Sequence, residues 1–109
     1  MKIKTSELIG TTLDWAVAKA KHETPLWNDS TNTPDFLPYS TNWSLAGSII
    51  RKADIKRAID PSGQWVAFWD SGYAGKTVTQ YGRSELVAAM RCYVALELGG
   101  EVDVPEELL

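Results

Sequence analysis

Two periods of apolar residues run along the chain, and the switches between them mark out its elements. In "TTLDWAVAKAK", Thr11 to Lys21, the spacing is helical: at roughly 100° per residue, Leu13, Ala16, Val17 and Ala20 share one face. A helix is predicted there, begun by Thr11 and Asp14 in the positions of a capping box. Trp15 falls off that face beside Ala18 and Asp14, so it needs a second cover: a loop, another subunit or a ligand.

From Ile55 to Tyr81 the alternation is that of antiparallel strands. In "IDPSGQW", Asp60 to Gly63 have the residue order of a type I turn, which predicts a hairpin of Ile55–Ile59 with Gln64–Asp70. A third strand, "KTVTQY", follows the turn "DSGYAG" and completes a meander. On the middle strand Trp65, Ala67 and Trp69 alternate with Val66 and Phe68, so both faces are apolar and both need burying.

"SELVAAMRCYVALELGG" returns to helical spacing, with Ser84 as cap, Glu85 in the first turn and Gly99–Gly100 to end it. Its apolar residues go almost all round, as expected of a central helix between a sheet and a second layer. In the tail "EVDVPEELL", Pro105 suits the first turn of a short helical segment. The predicted fold class is α+β: a small antiparallel three-stranded meander packed on a central C-terminal helix, with an N-terminal helix and a long Pro-rich loop.

That loop is "HETPLWNDSTNTPDFLPYS", His22 to Ser40, where three prolines and many small polar residues disfavour regular structure. Leu26, Trp27, Phe36, Leu37 and Tyr39 are too apolar for a free linker, so the loop is expected to fold back across the domain. An unstructured tip around Asn28–Thr33 is the alternative. After it comes "NWSLAGSIIRKADIKR", Asn42 to Arg57, read as loop-like at its start, with Gly47 allowing close backbone approach and the amides of "AGSI" facing an anion.

A length of 109 residues suits one domain, residues 1–109. A net charge of −3 argues against a duplex nucleic-acid binder, and single-stranded binding by aromatic stacking is disfavoured on the same ground. One cysteine, Cys92, and one histidine, His22, permit neither an internal disulfide nor a metal cluster, so no metal and no cofactor are expected. No signal-peptide core and no membrane-length apolar run is present, which points to the cytoplasm of the cell that makes the protein. The glycosylation-type triplets at Asn28 and Asn42 then carry no meaning.

Catalytic candidates are few. Cys92 sits on the apolar helix, His22 opposes a helix dipole, and "GYAGKT" lacks the spacing of a phosphate-binding loop. The expectation is that the protein is not an enzyme. Binding has more to work with, since five tryptophans is a high count for this length. Trp65 reads as core, whereas Trp27 and Trp43 lie in loop-like sequence, free to stack on a ring. Asn42, Trp43, Gly47, Ser48 and Arg51 form one candidate cluster, with Trp27, Tyr39 and Trp69 as further aromatic or hydroxyl contacts. Lys52, Lys56 and Arg57 extend a basic patch, and Lys76 and Arg83 flank the third strand. Arg91 is the lone positive charge in the apolar helix and needs a partner: a carboxylate such as Asp14 or Asp70, or a bound anion.

The segments "TLDWAVAKA", "YSTNWSLAGSII" and "AAMRCYVALELGGEVDVPEELL" together resemble the NinX-like family of small accessory proteins of lambdoid bacteriophages, in the same order and at comparable spacing. In family members the middle segment more usually has a tryptophan followed by Gly-Gly-Pro-Ile-Ile. Here Ala46 and Ser48 stand at those Gly and Pro positions, and Trp43, Gly47, Ile49 and Ile50 match. The resemblance implies a phage protein made in a bacterial host, and implies no mechanism. Two functions are expected from origin and residues together. The first is binding of a small nucleotide-like ligand, sequestering a bacterial anti-phage defence signal. The alternative is a protein-interaction module, anchored by Trp27, Trp43 and Arg51, that inhibits or redirects a host or phage protein. The apolar face of Trp15 and the doubly apolar strand predict a homo-oligomer, a two-fold dimer.

Overall fold

A computed structural model describes residues 1–24, 26–28, 30–31, 33–71 and 77–108, with Leu26, Trp27, Pro34 and Asp35 described by backbone alone. The elements run β1 (Lys2–Lys4), a 3-10 turn (Thr5–Glu7), α1 (Gly10–Ala20), β2 (Leu26–Asn28), β3 (Thr33–Asp35), α2 (Trp43–Ala53), β4 (Lys56–Ile59), β5 (Trp65–Asp70), β6 (Thr77–Gly82), α3 (Glu85–Leu98), β7 (Glu101–Asp103) and a second 3-10 turn (Glu106–Leu108).

Strands β4, β5 and β6 form the expected antiparallel meander in that order. The turn between β4 and β5 is built as its residue types require. Asp60 Oδ1 accepts from the Ser62 amide at 2.9 Å, the Ser62 hydroxyl at 2.6 Å and the Gln64 amide at 3.0 Å, while the Gly63 amide donates to the Asp60 carbonyl at 2.9 Å. Gly63 has φ +90°, a backbone region that other residues enter only with strain. The Ser62 hydroxyl and the turn amides hold the Asp60 carboxyl below its usual range. The following turn, from Gly72 to Lys76, lies outside the described residues.

Residues opposite one another in an antiparallel register share a face. Trp65 pairs with Gly82, Ala67 with Gln80 and Trp69 with Val78, and this row faces α3. The other row holds Ala58, Val66 and Tyr81, then Lys56, Phe68 and Thr79. Helices α1 and α2 make their main contacts with α3 rather than with the sheet, and among the described residues no helix is seen over the second row.

Helix α3 is the hub, as predicted. Its first turn is capped by Ser84, whose Oγ accepts from the Val87 amide at 3.1 Å, and Gly99 at φ +93° ends it. Leu86, Val87, Ala88, Ala89, Met90, Cys92 and Val94 are all buried.

Several expectations change. Helix α1 begins at Gly10 with no side-chain cap, and Asp14 does not serve its start. Its carboxylate is buried and accepts from the Ser40 amide at 2.7 Å, tying the end of the Pro-rich loop to the helix. Trp15 is only 6% exposed, so it is covered within this chain, with Lys19 Nζ 5.1 Å from its ring centre. Only the end of the Pro-rich loop is seen to fold back, through Phe36 and Tyr39, while Leu37 is exposed; before it runs a short β2–β3 ladder that the composition disfavours, with Leu26 opposite Asp35 and Asn28 opposite Thr33. Part of its tip, Asp29 and Asn32, lies outside the described residues. Strands β1 and β7 pair antiparallel and were not anticipated, because three residues carry too little alternation to read. Among the described residues no helix is long and apolar enough to cross a membrane.

Candidate functional site

The stretch read as a loop is helix α2. Asn42 caps it, with Oδ1 accepting from the Leu45 amide at 3.3 Å, and Ala46, Ile49 and Ile50 form its buried face. Arg51 and Lys52 lie in its last turn, where cations oppose the helix dipole, and Asp54 ends it at φ +55°. The amides of "AGSI" are therefore inside a helix, where the preceding turn takes them up, and they do not face an anion. Gly47 is not needed for close approach: a Cβ there would meet only Arg51 Nη1, at an ordinary 3.7 Å. The Ser48 hydroxyl donates to the Leu45 carbonyl at 3.4 Å.

Other candidates prove structural. Tyr39 is 1% exposed; its hydroxyl donates to Glu23 Oε1 at 3.0 Å and accepts from Lys21 Nζ at 3.3 Å. Burial raises its phenol above the usual range. Trp69 is half-buried against the core on the α3 face of the sheet. The side chain of Trp27 and all of Lys76 lie outside what is described. Arg57 is engaged by Glu85, Nε to Oε1 at 2.8 Å, and by the Ile55 carbonyl at 2.8 Å, so it leaves the expected basic patch. Cys92 is buried and its thiol is pushed up to about 11, which keeps it protonated at neutral pH.

The candidates that reach a hollow are divided among three. Trp43, 49% exposed, stands with Ser40, Thr41, Ser84, Glu85 and Leu86 beside a hollow of about 380 Å³. Ser48 lines a smaller one, about 260 Å³, with Lys21, Lys52, Tyr93 and Glu97 among its walls. Arg83 and Arg91 share the third, about 500 Å³, with Ile9, Ser62, Gly63 and Gln64. Trp43 and the two arginines thus serve separate hollows, and Glu85 sits in the tryptophan's.

The arginine hollow is distinctive in its charge. Arg91 does not pair with Asp14 or Asp70. Its Nε donates to the Leu8 carbonyl at 2.7 Å and its Nη1 to the Tyr81 carbonyl at 2.8 Å. Burial, and then the nearby charge of Arg83, lower its pKa. Arg83 is exposed, and among the described residues it forms no salt bridge. Among the described residues no carboxylate lines the hollow. The Ser62–Gln64 wall was missed because its signal is one of register: Trp65 opposite Gly82 sets the β4–β5 turn beside Arg83.

No curated protein matches the chain. The family model for NinX of bacteriophage P22 matches residues 4–97, a span from β1 to the last turn of α3 that includes every element around these hollows. The chain belongs to the phage P22 NinX family.

Proposed function

We propose that this phage accessory protein acts by binding a small, nucleotide-like anion in stoichiometric amount, in keeping with sequestration of a host defence signal. The observation that carries the reading is the hollow faced by Arg83 and Arg91, with no carboxylate among the described residues that line it. An anion entering it gains charge-assisted hydrogen bonds and offsets the repulsion between the two guanidinium groups. The volume, about 500 Å³, falls within the range usual for small-molecule sites. Trp43 has no part in this reading. Titration with mono-, di- and cyclic dinucleotides, followed by melting temperature, tests it. A binder present at about a hundred times its Kd adds about 2.7 kcal/mol to stability. No shift with any member of the panel would remove the reading.

A second reading rests on the sheet face over which no described helix lies. Ala58, Val66 and Tyr81 lie side by side there, with Phe68 next to Val66 between Lys56 and Thr79, and Tyr81 is 46% exposed. Two copies packed face to face would bury these side chains, giving the two-fold dimer and an interaction module. On this reading the parent protein scatters light as a dimer and Phe68→Glu as a monomer. A monomeric parent ends it, and a dimer indifferent to Phe68→Glu moves the interface elsewhere.

A further inference from the structure

We infer that the Arg83–Arg91 hollow reads a terminal phosphate group and is indifferent to whatever base the ligand carries. The inference rests on the proposal that this hollow takes a small anion, and it names the chemistry the hollow recognises.

A guanidinium has five N–H groups. Arg91 spends its Nε–H on Leu8 and one Nη1–H on Tyr81, both carbonyls of the main chain. What remains is the outer edge, one Nη1–H and both Nη2–H groups, a fork matched to two oxygens of one phosphate. The two carbonyl bonds hold that fork still, so little side-chain freedom is lost when an anion arrives. They also leave Arg91 partly buried without a counter-charge, beside a second cation.

Arg83 differs in being exposed and unpaired among the described residues, so it is free to close on a third oxygen. A phosphate monoester offers three unbridged oxygens and nearly two negative charges, whereas an internal diester offers two and one. The arrangement therefore favours a chain-end phosphate.

The rest of the wall gives a base nothing to hold it. None of the described residues around the hollow is aromatic, and Ile9 is the one large apolar side chain among them. The half-exposed Trp43 belongs to a different hollow. Gln64 and Ser62 are suited to hydroxyl groups of a sugar. The Asp60 carboxylate nearby is already occupied by the amides and hydroxyl of its own turn.

Calorimetric titration of the full chain at low salt tests this with inorganic phosphate, ribose 5-phosphate, AMP, GMP, adenosine and cyclic 3′,5′-AMP. Ribose 5-phosphate, AMP and GMP should bind within about threefold of one another, adenosine should not bind, and the cyclic diester should be weaker by about tenfold. Arg83→Gln should weaken AMP by about tenfold or more and leave the melting temperature of the free protein in place, with Arg83→Lys intermediate. Adenosine binding as tightly as AMP, or Arg83→Gln binding AMP like the parent, overturns the inference while nucleotide binding survives. Ribose 5-phosphate binding while neither AMP nor GMP binds upholds the phosphate site and defeats the nucleotide reading. Silence from every compound defeats both.

Discussion

Gly82→Ala should destabilise the protein by about 3 kcal/mol, at the upper end of what overpacking costs. The melting temperature is then expected to fall by about 10–15 °C for a domain of this size. A Cβ at Gly82 would lie 2.6 Å from the Ala88 amide nitrogen, 3.1 Å from the Ala88 Cα and 2.9 Å from Val87 Cγ1. Two of these three neighbours are backbone atoms of α3, so no rotamer change can make room. The strand must move off the helix, and that separation is what sets Arg83 and Arg91 around a common hollow. Gly100→Ala is the control, since nothing lies within 4 Å of its Cβ position. Thermal and urea denaturation of the two variants side by side measure the difference. Equal stability would mean that β6 does not approach α3 as closely as described.

Asp14→Ala should cost about 2 kcal/mol, because it leaves the buried Ser40 amide without an acceptor. Asp14→Asn keeps a carbonyl for that amide, and the comparison isolates the charge. Burial raises the Asp14 pKa more than the Ser40 hydrogen bonds lower it. The folded protein therefore holds this proton more tightly than the unfolded chain does. The stabilisation from Asp14 is full below the ordinary carboxyl range and is lost as pH rises through the raised folded value. The melting temperature of the parent minus that of Asp14→Asn should accordingly be greatest in acid and shrink toward neutrality. A difference that grows toward neutrality would mean the carboxylate is stabilised in its charged form.

Local chemistry was the legible part of this chain. Asp60, Ser62 and Gly63 announce their turn because the bonds that build it join residues within four positions, and Ser84 announces α3 for the same reason. Helix α2 was legible too, in the cap at Asn42 and the spacing of Ala46, Ile49 and Ile50, but Gly47 and Ser48 drew the reading toward a loop. Neither residue prevents a helix whose apolar face is buried, since packing outweighs a propensity loss of about 1 kcal/mol. The partners of Arg91 were out of reach for a different reason. A buried arginine suggests a carboxylate, and here main-chain carbonyls of Leu8 and Tyr81 serve instead, which leave no trace in residue type. The candidate site divided in the same way. Neighbours in sequence such as Trp43, Ser48 and Arg51 were dispersed around a helix, while Gln64, Arg83 and Arg91 were gathered by strand register.

The place of α3 after the sheet, α1 and α2 in the order of the chain bears on how these elements fold. Sheet, α1 and α2 each find their apolar cover on this helix, and all of them leave the ribosome before it does. During translation they emerge without a surface to settle on, and folding as a unit waits until Leu98 has cleared the exit tunnel. Until then the apolar faces of the sheet, α1 and α2 lack the cover that α3 gives them in the folded chain.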